Sequence, residues 1–264
     1  MAIEVFNRYE KKYMMNTAVC FKIQEVLKKY MNADPYNKDG AFYTISNLYY
    51  DTPDNSLIRH SAMKPVYKEK LRLRAYGVPK AEDLVFLEIK KKFQKMVNKR
   101  RTKLSLREAY AFTESGEKPA LQEYMNPQVL NELAYFIRHY SLHPKLYLAY
   151  DRFAYFGKDR KDLRISFDTG IRTRREHLGL ENGDFGEPLL KDDLWLMEIK
   201  AEKSIPLWVS EMLSEYEIFP VSFSKYGTEY QQYLAKNVRE ERIPCLISYF
   251  KQQPMPSCQL ALQY

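Results

Sequence analysis

The chain has 264 residues, 45% of them hydrophobic and 29% charged, with a net charge of +8 at pH 7. This composition excludes a disordered chain, and three scattered cysteines, Cys20, Cys245 and Cys258, exclude a disulfide framework. No apolar run approaches the roughly 20 residues that span a bilayer, and residues 1–13 do not resemble a signal peptide. We therefore expect a reducing, cytoplasmic location and, because the chain is basic, an anionic partner.

Eight segments have the aromatic and β-branched content and the two-residue charge period of strands. In chain order they are Glu4–Met14, Phe42–Asp51, Tyr67–Tyr76, Leu84–Phe93, Met96–Leu104, Lys145–Tyr155, Leu163–Arg172 and Asp193–Ala201. Helical spacing occurs in Asn16–Asn32, Met125–Leu142, Ile205–Tyr216 and Gly227–Arg239. Since no linker divides the chain, we expect one domain over residues 1–240 and a C-terminal extension over residues 241–264.

Several of these strands carry like charges on one face, because alternate residues of a strand point the same way. In Tyr67–Tyr76 that face carries Lys68, Lys70, Arg72 and Arg74. In the next strand Glu88, Lys90 and Lys92 share a face. Charged faces of an antiparallel sheet are usually solvated outer faces, but crowded cations favour faces that surround a polyanion, with helices covering the apolar faces.

Eight strands are enough to close a barrel that holds one narrow ligand. The sequence therefore predicts an α+β fold, an eight-stranded antiparallel β-barrel tunnel with helices packed outside. A nucleic acid is not the expected partner, because few aromatic residues share the cationic faces. Neither a GxxxxGK[ST] phosphate loop nor a GxGxxG motif occurs.

A series of short motifs occurs in order along the chain. They are RxExK at Arg8–Lys12, LRLRAYG at Leu71–Gly77, LEIK at Leu87–Lys90, KRR at Lys99–Arg101, YDR at Tyr150–Arg152, LRISFD at Leu163–Asp168, MEIK at Met197–Lys200 and FSKY at Phe223–Tyr226. Each motif alone is weak, but the ordered series resembles the VTC domain, the polyphosphate polymerase domain of the triphosphate tunnel metalloenzyme superfamily. The resemblance covers roughly residues 4–238.

The resemblance implies a tunnel enzyme that uses Mn²⁺ or Mg²⁺ to extend polyphosphate from ATP, with a membrane protein as a candidate partner for product export. It implies catalytic roles for Arg72, Arg74, Lys90, Arg152, Arg164 and Lys200. It implies substrate binding by Arg8, Lys12, Lys70, Lys225 and a cation among Lys99, Arg100 and Arg101. The implied metal ligand is Glu198, and Glu88 and Glu10 are further candidates.

Two alternatives to a polymerase stay open, a non-catalytic polyphosphate-binding module and an inorganic triphosphatase. Triphosphatases of the superfamily begin with an ExExK strand, and here Arg8 replaces the first Glu. This change removes a metal ligand and adds a phosphate ligand, so it favours transfer or binding over hydrolysis. Ser222 stands where eukaryotic VTC domains carry a Lys, which removes one cation from a tunnel end.

Overall fold

The computed structural model describes residues 5–6, 9–37, 40–94, 96–202 and 204–250, and side chains between residues 10 and 237 within those ranges. The strands are β1 (Val5–Phe6), β2 (Tyr9–Asn16), β3 (Met31–Ala33), β4 (Tyr43–Asp51), β5 (Tyr67–Tyr76), β6 (Leu84–Phe93), β7 (Met96–Ser105), β8 (His143–Gly157), β9 (Arg164–Arg174), β10 (Glu187–Pro188), β11 (Leu194–Ala201) and β12 (Pro220–Val221). The helices are α1 (Thr17–Tyr30), α2 (Ser56–Ala62), α3 (Leu106–Ser115), α4 (Pro127–His139), α5 (Leu207–Glu215) and α6 (Lys225–Phe250).

Seven of the eight predicted strands form as single strands of one antiparallel sheet, whereas the predicted strand Glu4–Met14 is found as β1 and β2, which pair with different partners. The order of the sheet is β1-β7-β6-β5-β4-β8-β9-β11-β2-β12, with β10 on β9 and β3 on β8. The antiparallel α+β fold is confirmed. The closed barrel is not, because the ladder of paired strands in the described residues ends at β1 and β12.

The sheet is nevertheless strongly curved, because consecutive chain segments lie near its opposite ends. Phe6 in β1 pairs with Val97 in β7, whereas Tyr9 in β2 pairs with Ala201 in β11. Three residues of chain span at most about 11 Å. The two ends of the sheet are therefore close together. The two halves of its concave face lie opposite each other.

The apolar faces of the strands point outwards, as the charge pattern predicts. One core joins Leu71, Leu73, Leu87 and Ile89 of β5 and β6 to helices α3 and α4. A second core joins Phe167 of β9 and Met197 and Ile199 of β11 to helices α1 and α5. Burial of these apolar faces leaves the charged faces on the concave side of the sheet.

Two helices differ from the expectation that all helices pack outside. Ile58 of α2 and Tyr226 and Tyr230 of α6 pack against Leu146 and Leu148 of β8, residues that share the concave side with the cations. These helices cover one end of the concave face. The expected placement of every helix outside the sheet is therefore wrong for α2 and for the first turns of α6.

The four expected helices all form, and α6 is longer than expected. It begins at Lys225 and runs to Phe250, across the domain limit expected at residue 240, while residues 251–264 lie outside the described part. The division into a domain and an extension stays a prediction. In the described residues, none of the helices combines the length and apolarity needed to cross a membrane.

Candidate functional site

The charged residues of the concave side form one continuous surface, here called the lumen face. It carries residues of β2, β5, β6, β7, β8, β9 and β11, and it brings together Lys12, Lys70, Arg72, Arg74, Glu88, Lys90, Lys99, Arg101, Arg152, Asp168, Glu198 and Lys200. Burial lowers the pKa of Lys90 in β6, and two neighbouring cations add to this effect while two neighbouring carboxylates oppose it. The neighbours are Glu10, Lys12, Glu198 and Lys200, which lie in β2 and β11. Strands far apart in the sheet order thus face one another across the lumen.

Glu88 is the counter-ion of the cations on β5 and β7. Its carboxylate is 1% exposed, with Arg72 Nε at 2.7 Å and Lys99 Nζ at 2.6 Å. Arg74 Nε and Arg101 Nη1 follow at 3.8 and 3.9 Å. Burial alone would raise the pKa of Glu88, but the charges of Arg72, Arg74 and Lys99 hold this pKa well below its ordinary value. Glu88 is therefore ionised and paired with these cations, although its buried Oε1 lacks a hydrogen bond.

Asp168 of β9 is a second buried counter-ion, which sequence reasoning did not assign to the site. Arg152 donates to both of its carboxylate oxygens, at 2.6 and 2.8 Å, and Lys225 Nζ lies 2.5 Å from Oδ2. Burial alone would raise the pKa of Asp168, but the charges of Arg152 and Lys225 lower it below its ordinary value. Asp168 thereby fixes two of the expected phosphate-binding cations.

Glu198 of β11 lies in the same network. Lys200 Nζ is 2.6 Å from Oε2, Lys12 Nζ is 3.6 Å from Oε1, and Arg152 Nη2 is 4.0 Å from Oε2. Burial alone would raise the pKa of Glu198, but the charges of Lys200, Lys12 and Arg152 hold it well below its ordinary value. Arg152 thus links Glu198 to Asp168.

Lys70 differs from these cations, because no carboxylate in the described part of the chain lies within 4 Å of it. Its Nζ contacts Ser224 Oγ at 3.3 Å and lies 5.7 Å from the centre of the Tyr226 ring. Burial, together with nearby Lys90, Lys68 and Lys12 and against the opposing effect of Tyr49, lowers the pKa of Lys70 to about 8. Such a crowded ammonium group is a ready partner for an anion.

Two tyrosines complete the lumen face and were also missed by sequence reasoning. Arg72 Nη1 donates to the Tyr49 hydroxyl at 3.3 Å, and Arg74 Nη2 donates to the Tyr150 hydroxyl at 3.4 Å. The Tyr150 ring also lies 5.2 Å from the Arg152 guanidinium and 4.2 Å from Lys225 Nζ. The Tyr of the YDR motif was the available signal for Tyr150, while nothing local marks Tyr49.

Residues 223–226, at the start of α6, hold this end of the lumen together. Lys12 Nζ donates to the Phe223 carbonyl at 2.9 Å, and the Tyr226 hydroxyl donates to the buried Asp51 carboxylate at 3.1 Å. These four residues form hydrogen bonds with side chains of four strands, which are Lys12 of β2, Lys70 of β5, Asp168 of β9 and Asp51 of β4. The FSKY motif is therefore a junction of strands as well as a source of one cation.

The three consecutive cations of β7 do not all point to the same side of the sheet. Lys99 and Arg101 lie on the lumen face beside Glu88, whereas Arg100 points the other way and pairs with Glu132 of α4 at 3.1 Å. Substrate binding by Arg100 is therefore not supported by its position.

Two further predicted residues, Arg164 and Glu10, lie towards the edge of the lumen face. Arg164 pairs with Asp34 at 3.2 Å, and its buried Nε has no hydrogen-bond partner. Glu10 is exposed. Arg8 lies outside the described residues.

The fit of a divalent metal depends on Glu198. The described residues contain no group of three or more His, Cys, Asp or Glu side chains that could hold a metal ion. Magnesium-type ions, however, commonly use one or two carboxylates together with substrate phosphates and water. Glu198, with Glu10 diagonally across the β2–β11 pair, fits a metal that arrives with its phosphate ligand.

Solved structures share this fold at low sequence identity. A candidate adenylate cyclase from Bacillus halodurans matches at 16% identity and a TM-score of 0.51, over 84% of this chain and 94% of that one. A candidate adenylyl cyclase from Hippeastrum, described as having a dominant triphosphatase activity, matches at 15% identity and a TM-score of 0.50, over 84% and 95%. At these identities the likeness shows the fold alone.

A search of curated proteins gives no significant match. The model of the VTC domain family, in contrast, matches residues 7–234. This match covers most of the chain and includes every lumen-face residue named above. The chain belongs to the VTC domain family.

Proposed function

We propose that this protein is a polyphosphate polymerase, which transfers the γ-phosphate of ATP to the end of a polyphosphate chain held on the lumen face. The observation that carries the proposal is the excess of cations over carboxylates there. Lys70 and Lys90 have no carboxylate within 4 Å in the described residues, and burial together with other cations lowers the pKa of both. A linear polyanion would neutralise both at once.

The roles of individual residues follow from their fixed positions. Arg72 is oriented by Glu88, Arg152 by Asp168, and Arg74 by the Asn47 side chain, to which its Nε donates at 3.0 Å. The remaining N–H groups of these arginines can therefore bind phosphate oxygens without reorganisation. Lys12, Lys70 and Lys90 supply more mobile charges along the chain. Arg164, with its unpartnered Nε, would hold phosphates nearer the edge.

The transfer step requires little proton chemistry. A terminal oxygen of polyphosphate is already an anion, and it attacks the γ-phosphorus while the bond to the β–γ bridging oxygen breaks and ADP leaves with the electron pair. Held by Glu198 and the phosphates, Mn²⁺ or Mg²⁺ would neutralise part of the phosphate charge. Hydrolysis would instead need a positioned water and a free carboxylate, and Glu88, Asp168 and Glu198 are all paired with cations.

A non-catalytic polyphosphate-binding module is the second candidate. It is favoured by the ion pairs of Glu198, because a carboxylate neutralised by Lys200 and Lys12 resembles a counter-ion more than a metal ligand. Under either proposal a cytoplasmic protein would meet ATP and polyphosphate, and for a polymerase a membrane partner could receive the product.

One assay separates these functions. The protein is incubated with ATP and Mn²⁺, and the products are resolved by gel electrophoresis and phosphate release. Long chains are expected; free phosphate would identify a triphosphatase, and no product would identify a binding module. Arg72→Ala should abolish chain formation, whereas the matched Arg100→Ala, on the outer side of β7, should not.

A further inference from the structure

Three tyrosines form a cluster beside the lumen face, here called the tyrosine cluster. Tyr36, Tyr43 and Tyr76 have ring centres 6.0–6.2 Å apart, and the Tyr36 and Tyr76 rings are nearly parallel, at 12°. Tyr36 is 75% exposed and Tyr76 is 50% exposed. Two large aromatic faces are thus held together but left open to solvent.

The turn that carries Tyr36 is anchored to the strands that carry the cations. Asp34, which is 5% exposed, accepts from the Tyr36 backbone N–H at 3.0 Å and from Arg164 Nη2 at 3.2 Å. The buried Asn37 side chain donates to the Arg152 carbonyl at 3.0 Å and accepts from the Ala154 N–H at 3.0 Å. This anchoring fixes the exposed ring relative to Arg152 and Arg164.

Tyr43 connects the cluster to the lumen face. Its hydroxyl lies 3.5 Å from Arg164 Nη2, and the charges of Arg152 and Arg164 both act on it. The Phe86 ring also lies edge-on to Tyr76, at 6.1 Å, and the Arg101 guanidinium is 4.6 Å from the centre of the Phe86 ring. The tyrosine cluster therefore adjoins lumen cations both through Tyr43 and through Phe86.

Rings that are rigid, exposed and next to phosphate-binding cations suit a ligand with an aromatic part joined to phosphates. Base–aromatic stacking is tolerant of base identity and needs only an open ring face. Inorganic polyphosphate and triphosphate have no group that would use these rings. A nucleoside triphosphate has both parts, with the charge at one end and the planar base at the other.

We propose that Tyr36 and Tyr76 form a stacking platform for the base of a nucleoside triphosphate whose phosphates lie on Arg152, Arg164 and the deeper lumen cations. This inference rests on the proposed function and adds to it a site for the nucleoside. It orients the donor, with the γ-phosphate directed into the lumen and the nucleoside at the edge. Discrimination among bases is expected to be weak.

Equilibrium binding of ATP and of inorganic triphosphate, measured by calorimetry in EDTA to prevent turnover, tests the platform. Tyr36→Ala and Tyr76→Ala should each weaken ATP binding about fivefold to a hundredfold and leave triphosphate binding unchanged. Tyr76→Phe should retain ATP affinity. Tyr135→Ala is the matched control, because Tyr135 is 71% exposed and stacks on His139 of the outer helix α4.

A second readout detects stacking directly. In Tyr76→Trp, ATP should quench the new indole fluorescence and triphosphate should not. If the alanine variants lose affinity for ATP and for triphosphate equally, the tyrosines have a structural role and the platform is overturned. Unchanged affinity for both ligands would also overturn it. If triphosphate fails to bind the wild-type protein, the proposed function itself is wrong, and the platform, which rests on it, is wrong as well.

Discussion

Arg152 and Asp168 form a bidentate ion pair in the interior, with Nε and Nη2 of the arginine donating to the two carboxylate oxygens at 2.6 and 2.8 Å. The arginine side chain is 8% exposed and the aspartate is fully buried. This geometry fixes the guanidinium before any ligand binds, which lowers the entropic cost of holding a phosphate.

Asp168→Asn should destabilise the protein by about 3–5 kcal/mol, because it leaves the buried charges of Arg152 and Lys225 without their shared partner. The measurement is urea unfolding at pH 7. Asp162→Asn, which breaks the more exposed pair with Arg160, should cost about 1 kcal/mol or less. Equal effects would show that the Asp168 network does not stabilise the fold.

Triphosphate affinity should depend on Lys70 and on pH. The pKa of Lys70 is about 8 in the empty protein, and a bound anion raises it, so binding above pH 8 takes up a proton. The contribution of Lys70 to affinity should be constant below pH 8 and fall by up to about tenfold per pH unit above it. The charged or titratable neighbours are Tyr49, Lys90, Lys68, Lys12 and Tyr226.

The check is to measure Kd for triphosphate between pH 7 and pH 10 in the wild type and in Lys70→Gln. Because triphosphate titrates identically in both experiments, the ratio of the two Kd values gives the pH dependence that Lys70 contributes. A ratio that is constant across this range would remove Lys70 from the binding site.

Glu198→Gln distinguishes a metal ligand from a counter-ion. If Glu198 holds the metal with the phosphates, Mn²⁺-dependent turnover should fall about 100-fold or more. Polyphosphate affinity should be kept or increased, since the lumen becomes more positive. Turnover rates and polyphosphate Kd are measured together; unaltered turnover would assign Glu198 to the counter-ion role, beside Lys200 and Lys12.

Glu88→Gln should lower the melting temperature, because Arg72, Arg74 and Lys99 lose the carboxylate between them. Triphosphate should then raise the melting temperature by more than in the wild type, because the ligand replaces the missing negative charge and binds only the folded state. Thermal unfolding with and without millimolar triphosphate gives both values. Glu132→Gln, the partner of Arg100 outside the lumen, is the control.

The alternation of charge predicted the strands and the lumen face well, because a strand has only two faces and one was strongly cationic. It did not choose among Lys99, Arg100 and Arg101, since the answer depends on the register that sets Arg101 opposite Glu88 and Lys99 opposite Lys90. A local signal for α3 was present: Ser105 and Glu108 form its capping box.

Other parts of the site could not be predicted from a local sequence pattern. Asp168 shares its face with Arg164 and Ser166, but its role follows from Arg152 and Lys225, which are distant in sequence. The tyrosine cluster likewise joins residues from a turn, β4 and β5. The open ladder between β1 and β12 depends on how far the sheet curves, which residue types do not specify.

The position of β2 bears on the order in which the protein folds. This first long strand pairs with β11 and β12, and its Lys12 bonds to Phe223, 211 residues away. The pairings β5–β6 and β6–β7 join neighbouring segments of the chain and can form early, whereas contacts of such long sequence separation form late. β2 therefore remains unpaired until β11 and the segment around Phe223 are in place, although β2 precedes both of them in the chain.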